Sequence, residues 1–130
     1  MYASNKLSEM EKMIFLSDVN NRLSNIPKYN LQIPKESMLS GEMYKNSDGY
    51  YFRNILEHNE YCDTFLGKDR DTAIVTLAMQ WVWFWGFQID VYEGGLYPNS
   101  NMQTVDAINK FQEYCKPYLA SELKENEGAS

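Results

Sequence analysis

Few residues in this chain could carry out chemistry. Its single histidine, His58, stands four positions before Cys62, and on a helix the two would share a face at a zinc-binding spacing. A site needs three or four ligands, and only Glu57, Asp63 or the distant Cys115 could complete one. The reading is therefore a surface histidine and a buried cysteine, with no metal bound. Nucleophilic catalysis by Ser or Cys normally recruits a histidine base, and one histidine leaves little choice. No G-x-S-x-G, C-x-x-C, P-loop or G-x-G-x-x-G occurs. Glu57 with Glu60, or Asp69 with Asp71, can be drawn as paired carboxylates, but such pairs need a cleft to become an acid–base couple. No enzyme and no cofactor are expected.

Charge is more informative. Lys+Arg number 12 against Asp+Glu 18, a net charge of −6, and the isoelectric point is near 4.7. That balance excludes a protein that coats nucleic acid electrostatically. Residues 1–50 hold six basic and six acidic side chains, so the whole excess lies beyond residue 50. From Asp71 to Asn109 there is no Lys or Arg, while Asp71, Asp90, Glu93 and Asp106 are present. One reading is a mostly buried stretch with one acidic loop. The other is an acidic surface built by Asp90, Glu93 and Asp106 with Glu57, Glu60 and Asp63, suited to the basic groove of a nucleic-acid-handling protein.

Aromatic residues extend that surface. The chain has ten Tyr and three Trp. Tyr44, Tyr50, Tyr51, Tyr92 and Tyr97 cluster at expected turns, and Tyr offers large contact area at low entropic cost. The candidate partner-binding residues include Tyr50, Tyr51 and Tyr97; the competing reading is that Tyr50 and Tyr51 cover the top of the core.

At 130 residues the chain suits one domain spanning 1–130, with residues 124–130 fraying. Two cysteines and a charge-interrupted segment from Met1 to Asn25 give no disulfide framework or signal peptide, so free thiols and a cytoplasmic location are expected. Thr72 to Ile89 carries no charge, the lower limit of a membrane span. Polar Thr72, Thr76, Gln80 and Gln88 along one helix edge, and Trp81, Trp83 and Trp85 at the centre instead of the ends, argue for a buried core element.

The elements that must position these residues read mostly as helices. Apolar spacing over 6–25, with a Ser8–Glu11 capping box, predicts a first helix ended by Pro27. Residues 42–49 read as a turn. A second helix is expected from about Tyr50 to Leu66, with Phe52, Ile55, Leu56, Cys62, Phe65 and Leu66 on its buried side, Ser47 or Asp48 as its cap and Gly67 at its end. Asp69 caps a third helix, preferred as continuous to Gly94-Gly95. Its rival ends at Trp85 and releases a strand, because the odd positions from Met79 alternate as in a strand. A fourth helix starts near Met102, and Pro117 should kink it or start a fresh turn.

The fold expected is thus all-α, a compact bundle of about four helices; the alternative is α+β, with a short strand pair around residues 84–97. Small, acidic, Asn- and Tyr-rich chains without motifs are similar in type to the accessory inhibitors of phages and mobile elements, anti-CRISPR proteins included. The functional expectation is a non-catalytic, monomeric or weakly dimeric binding protein that occupies a basic or nucleic-acid-binding surface of another protein. It is not expected to bind nucleic acid or membrane directly. The alternatives are a structural subunit of a homo-oligomer and a small enzyme or metal-binding domain. An exposed acidic cluster favours the first, an exposed apolar Trp patch the second, and a pocket holding His58 the third.

Overall fold

The computed structural model describes residues 5–34, 36–37 and 41–120; the expected frayed tail at 124–130 lies outside them. The order of elements is helix α1 (Glu9–Leu23), strands β1 (Gly41–Asn46), β2 (Gly49–Ile55) and β3 (Tyr61–Gly67), then helices α2 (Arg70–Tyr92) and α3 (Thr104–Leu119). The fold is α+β, which overturns the all-α bundle. The strands do not lie at 84–97, where α2 finishes and a loop follows. They lie at 41–67, where a turn and a second helix were expected.

The described residues form two compact units, with boundaries at Asn20/Asn21, Gln32/Ile33 and Leu77/Ala78. The first contains most of α1, the sheet and the start of α2. The helix begins with the anticipated capping box: the Ser8 amide donates to Glu11 Oε1 at 2.9 Å, and the Glu11 amide donates to Ser8 Oγ at 3.1 Å. Phe15, Leu16 and Val19 are buried along one side. Lys12 is buried beside them, and its ammonium donates to the Gly41 carbonyl at 2.8 Å.

The sheet is an antiparallel meander in the order β1-β2-β3. Ser47 and Asp48 form the two-residue turn between the paired residues Asn46 and Gly49. The Asp48 amide donates to Asn46 Oδ1 at 2.8 Å, and Gly49 takes φ +137°. A side chain at Gly49 would place its Cβ 2.2 Å from the Gly67 carbonyl oxygen, so only glycine fits. The β2–β3 turn is a short 3-10 segment, Glu57–Asn59, with His58 and Asn59 both left-handed.

Residues 50–66 mimic a helix because Phe52, Ile55, Leu56, Phe65 and Leu66 fall near helical spacing. Aromatic and β-branched content overrides that spacing once turns stand at both ends of β2. Ile55, Leu56 and Phe65 are about half exposed, whereas Met43, Tyr44, Tyr50 and Leu66 are buried.

In the second unit, Val82 of α2 is buried, as are Ala107, Ile108, Phe111, Cys115 and Leu119 at three- and four-residue spacing on α3. Leu23, Ile26, Leu31 and Leu96 complete the apolar interior. Helix α2 is continuous, as preferred, and the Gly95 amide donates to the Ile89 carbonyl at 3.1 Å just past its end. Asp69 caps its start by accepting from the Thr72 amide at 2.8 Å. Helix α3 runs through Pro117, in its last turn, to Leu119. No helix among the described residues is long and apolar enough to cross a membrane.

Candidate functional site

The residues selected from the sequence divide between the two units. In the first, Glu57 and Glu60 are exposed at the tip of the β2–β3 turn. Asp63 is not a free carboxylate. It accepts two hydrogen bonds from Arg53, at 2.7 and 2.9 Å, in a bidentate pair between directly opposed positions of β2 and β3. That pairing holds the Asp63 carboxyl below its ordinary pKa and raises the Arg53 guanidinium. Arg53 also covers the Tyr61 ring at 3.7 Å. Glu42 stands opposite Arg53 on β1, so charges alternate across the three strands at this level. Glu42 itself accepts from Lys6 at 2.6 Å and from the Tyr44 hydroxyl at 2.8 Å, and its pKa falls accordingly.

Tyr50 is 8% exposed and stacks on Phe15 with centroids 5.9 Å apart, the position of a core residue. Tyr51 is half-buried and packs on Phe65 at 5.1 Å. His58 and Cys62 do not share a helix face: His58 is in the turn and Cys62 is exposed on β3. The spacing that suggested a zinc pair therefore has no structural basis, and no group of three or more His, Cys, Asp or Glu among the described residues could hold a metal. Both cysteines are free. Cys115, on α3, is buried, and loss of solvation pushes its thiol up to about 12.

In the second unit, Asp90 is half-buried and has a structural duty: its Oδ1 accepts from the Leu96 amide at 3.0 Å, tying the loop back onto α2. Glu93 and Asp106 are exposed, at the end of α2 and in the first turn of α3 respectively. Asp106 there also meets the positive end of the α3 dipole. Tyr97 is half-buried beneath Lys110, whose ammonium is 4.5 Å from its ring centroid.

The outer side of α2 carries the exposed Trp patch that, on the sequence, favours a homo-oligomer. If this helix were the centre of a bundle, its three Trp would be shielded. Its small and aliphatic residues, Ala73, Ile74, Leu77, Ala78 and Val82, are buried; Trp81, Trp85 and Phe87 are half-buried, and Trp83 and Phe84 are exposed. Trp83 is 48% and Phe84 47% exposed, and Val91 and Tyr92 are also exposed. Trp83 stacks on Phe87, one turn along, at 5.7 Å with planes 9° apart. Trp81 meets Phe84 edge-on at 5.4 Å, and Phe87 meets Tyr92 at 6.3 Å. Trp85 is anchored otherwise, its indole donating to the Gln32 carbonyl at 3.2 Å.

Trp83, Phe84 and Tyr92 thus place exposed aromatic side chains on one helix. The run from Asp71 to Asn109, without one Lys or Arg, contains this whole surface together with Glu93 and Asp106. The arrangement can bind by apolar contact and by attraction for cations; it holds no nucleophile–base pair. No family model, curated protein or solved structure matches the chain.

Proposed function

We propose that the chain is a non-catalytic binding protein that uses the aromatic face of α2, with Glu93 and Asp106, to occupy a basic surface of another protein. A nucleic-acid-binding groove is the surface of that chemistry, and occupying it would make the chain an inhibitor of nucleic-acid handling, as in the accessory proteins of phages and mobile elements. The observation that carries the reading is the pair of exposed carboxylates Glu93 and Asp106 in a stretch that lacks any Lys or Arg, with exposed Trp83, stacked on Phe87, in the same stretch. Arginine is the complementary side chain: its guanidinium stacks on Trp and Tyr faces and pairs with carboxylates.

The test is affinity capture from nuclease-treated lysate of the native cell or host, with wild-type bait beside Trp83→Ser/Phe84→Ser and Glu93→Lys/Asp106→Lys baits. A basic protein retained by wild type alone, released by salt and displaced by added duplex, supports the reading. Equal retention by all three baits, or a captured partner that added duplex does not displace, overturns it.

A homo-oligomer is the second reading, favoured by the exposure of Trp83, Phe84 and Val91. Sedimentation decides between them: a tight dimer that loosens on Trp83→Ser/Phe84→Ser supports self-association, and a wild-type monomer supports the heteromeric reading.

A further inference from the structure

We propose that the outer edge of β3 takes an extended basic peptide segment of another protein as a fourth strand, in the pattern apolar, any, basic, any, apolar. Strand β3 ends the order β1-β2-β3. The opposite edge of the sheet is partly covered: Lys6 bridges to Tyr44, and the Leu7 amide donates to the Met43 carbonyl at 2.9 Å. Among the described residues β3 pairs with β2 alone, and Tyr61, Cys62, Asp63 and Phe65 are exposed. Alternate residues of an edge strand point their N–H and C=O groups away from the neighbouring strand, which makes this edge a template for main-chain pairing.

Side chains beside the edge set the pattern. Tyr61, Asp63 and Phe65 alternate along β3 and so share one face of the sheet, opposite Ile55, Arg53 and Tyr51 of β2. Tyr61 and Phe65 are 55% and 50% exposed, Tyr61 even though Arg53 covers one side of its ring. Between these aromatics runs the charge row Glu42, Arg53, Asp63, which alternates in sign and ends in a carboxylate at the open edge. Arg53 donates one hydrogen bond to each Asp63 oxygen, and a carboxylate accepts about four in all. Glu60, also exposed, stands just before the strand. A cation opposite Asp63 continues the alternation, and apolar residues two places to either side then fall opposite Tyr61 and Phe65.

A second copy of the chain fits this edge poorly. A register that sets the aromatic residues of two β3 strands against each other, parallel or antiparallel, also sets Asp63 against Asp63, a like-charge pair at the centre. Charge therefore selects a basic segment of a different protein. The edge belongs to the first unit and the α2 aromatics to the second, so this surface is independent of the function proposed above.

The probe is an acetylated, amidated heptapeptide in which threonine alternates with isoleucine, arginine and tyrosine, titrated into the full ¹⁵N-labelled chain. Saturable shifts and slowed amide exchange are expected over residues 61–65. Replacing the peptide's arginine by glutamine should weaken binding about threefold, and by glutamate about tenfold. N-methylation of every second peptide amide should abolish binding in one phase and spare it in the other, because only one set of amides faces β3. These comparisons use the wild-type chain and need no variant to fold. The Asp63→Asn chain adds a second check: it should bind the arginine peptide no more tightly than the glutamine peptide. Equal affinity for the arginine and glutamate peptides overturns the proposal, as does equal binding in both methylation phases. So do absence of saturation, shifts confined to Trp83 and its neighbours, or shifts over 61–65 that follow chain concentration without peptide, which would give the edge to a second copy.

Discussion

Gly86 and Phe111 approach so closely that a Cβ on Gly86 would stand 3.0 Å from Phe111 Cδ2. Phe111 is fully buried and has Tyr29 edge-on at 4.9 Å, so its ring has little room to retreat. The glycine lowers helix propensity by about 1 kcal/mol, and close packing on α3 offsets that cost. It marks a contact between α2 and α3, not the end of a helix.

Gly86→Val should therefore destabilise the protein by about 1–3 kcal/mol through overpacking against Phe111, which outweighs the helix propensity gained on losing the glycine. Urea unfolding followed by far-ultraviolet dichroism measures it. A midpoint equal to wild type would show that the α2–α3 contact is looser than described.

Arg22 and Leu119 supply the next expectation. The buried Arg22 guanidinium donates to the Leu119 carbonyl at 2.7 Å, neutralising the negative end of α3 where the helix runs out of partners. Arg22→Met keeps the apolar stem and removes the donors. It should cost about 1–3 kcal/mol, since a buried carbonyl is left without its hydrogen bond. Loss of amide-exchange protection should concentrate in the last turn of α3; a uniform change along the chain would contradict the capping role.

The Asp63–Arg53 pair predicts a pH dependence. The folded pKa of Asp63 lies below the ordinary value of 3.8, so the pair stabilises the fold fully above that value. The contribution is lost as pH falls through the lower, folded pKa. The stability gap between wild type and Asp63→Asn should be constant from pH 7 to about 5 and should close in more acidic solution. A gap that persists at pH 2 would assign the effect to shape instead of charge.

The two thiols should differ in reactivity. Cys62 is exposed, whereas Cys115 is buried with its thiol at about 12. At pH 8 a thiol reagent should label one cysteine in the native chain and both in denaturant, and mass mapping should place the native label on Cys62. Fast native labelling of Cys115 would mean that α3 opens readily.

Local rules made part of this fold legible. Ser8 with Glu11, Asp69 with Thr72, and Gly94-Gly95 act within a few residues of themselves, so spacing alone identifies them. The sheet was not legible, because half-exposed strands scatter their apolar residues: Ile55 and Phe65 face solvent while Leu66 is buried, and the scatter fits a helical period. In α2 the strand-like alternation from Met79 came from a helix with apolar residues on both its buried and its exposed sides, for which any period finds matches. Tyr50 flanks a turn, a position that on sequence alone fits a surface contact and the top of the core equally; its burial against Phe15 is a tertiary fact that favours the core.

The last expectation separates the two acidic surfaces. Glu57 and Glu60 belong to the first unit, and Glu93 and Asp106 to the second. Reversing either pair to Lys changes the net charge from −6 to −2, so bulk charge is matched. All four positions are exposed, and folding should shift little, apart from a small cost at Asp106 for reversing charge at a helix start. Asp90 is left unchanged because it holds the Leu96 amide. For a captured basic partner, Glu93→Lys/Asp106→Lys should lower the association rate at least tenfold in low salt, and the effect should fade above about 0.15 M, where screening acts over roughly 8 Å. Trp83→Ser/Phe84→Ser should instead raise the dissociation rate and leave the salt slope unchanged, because its contribution is apolar. Glu57→Lys/Glu60→Lys should bind as wild type does. Equal losses from the two charge pairs would mean that only net charge guides binding. Losses confined to the Glu57/Glu60 pair would move the interface to the hairpin tip and remove α2 from the interaction.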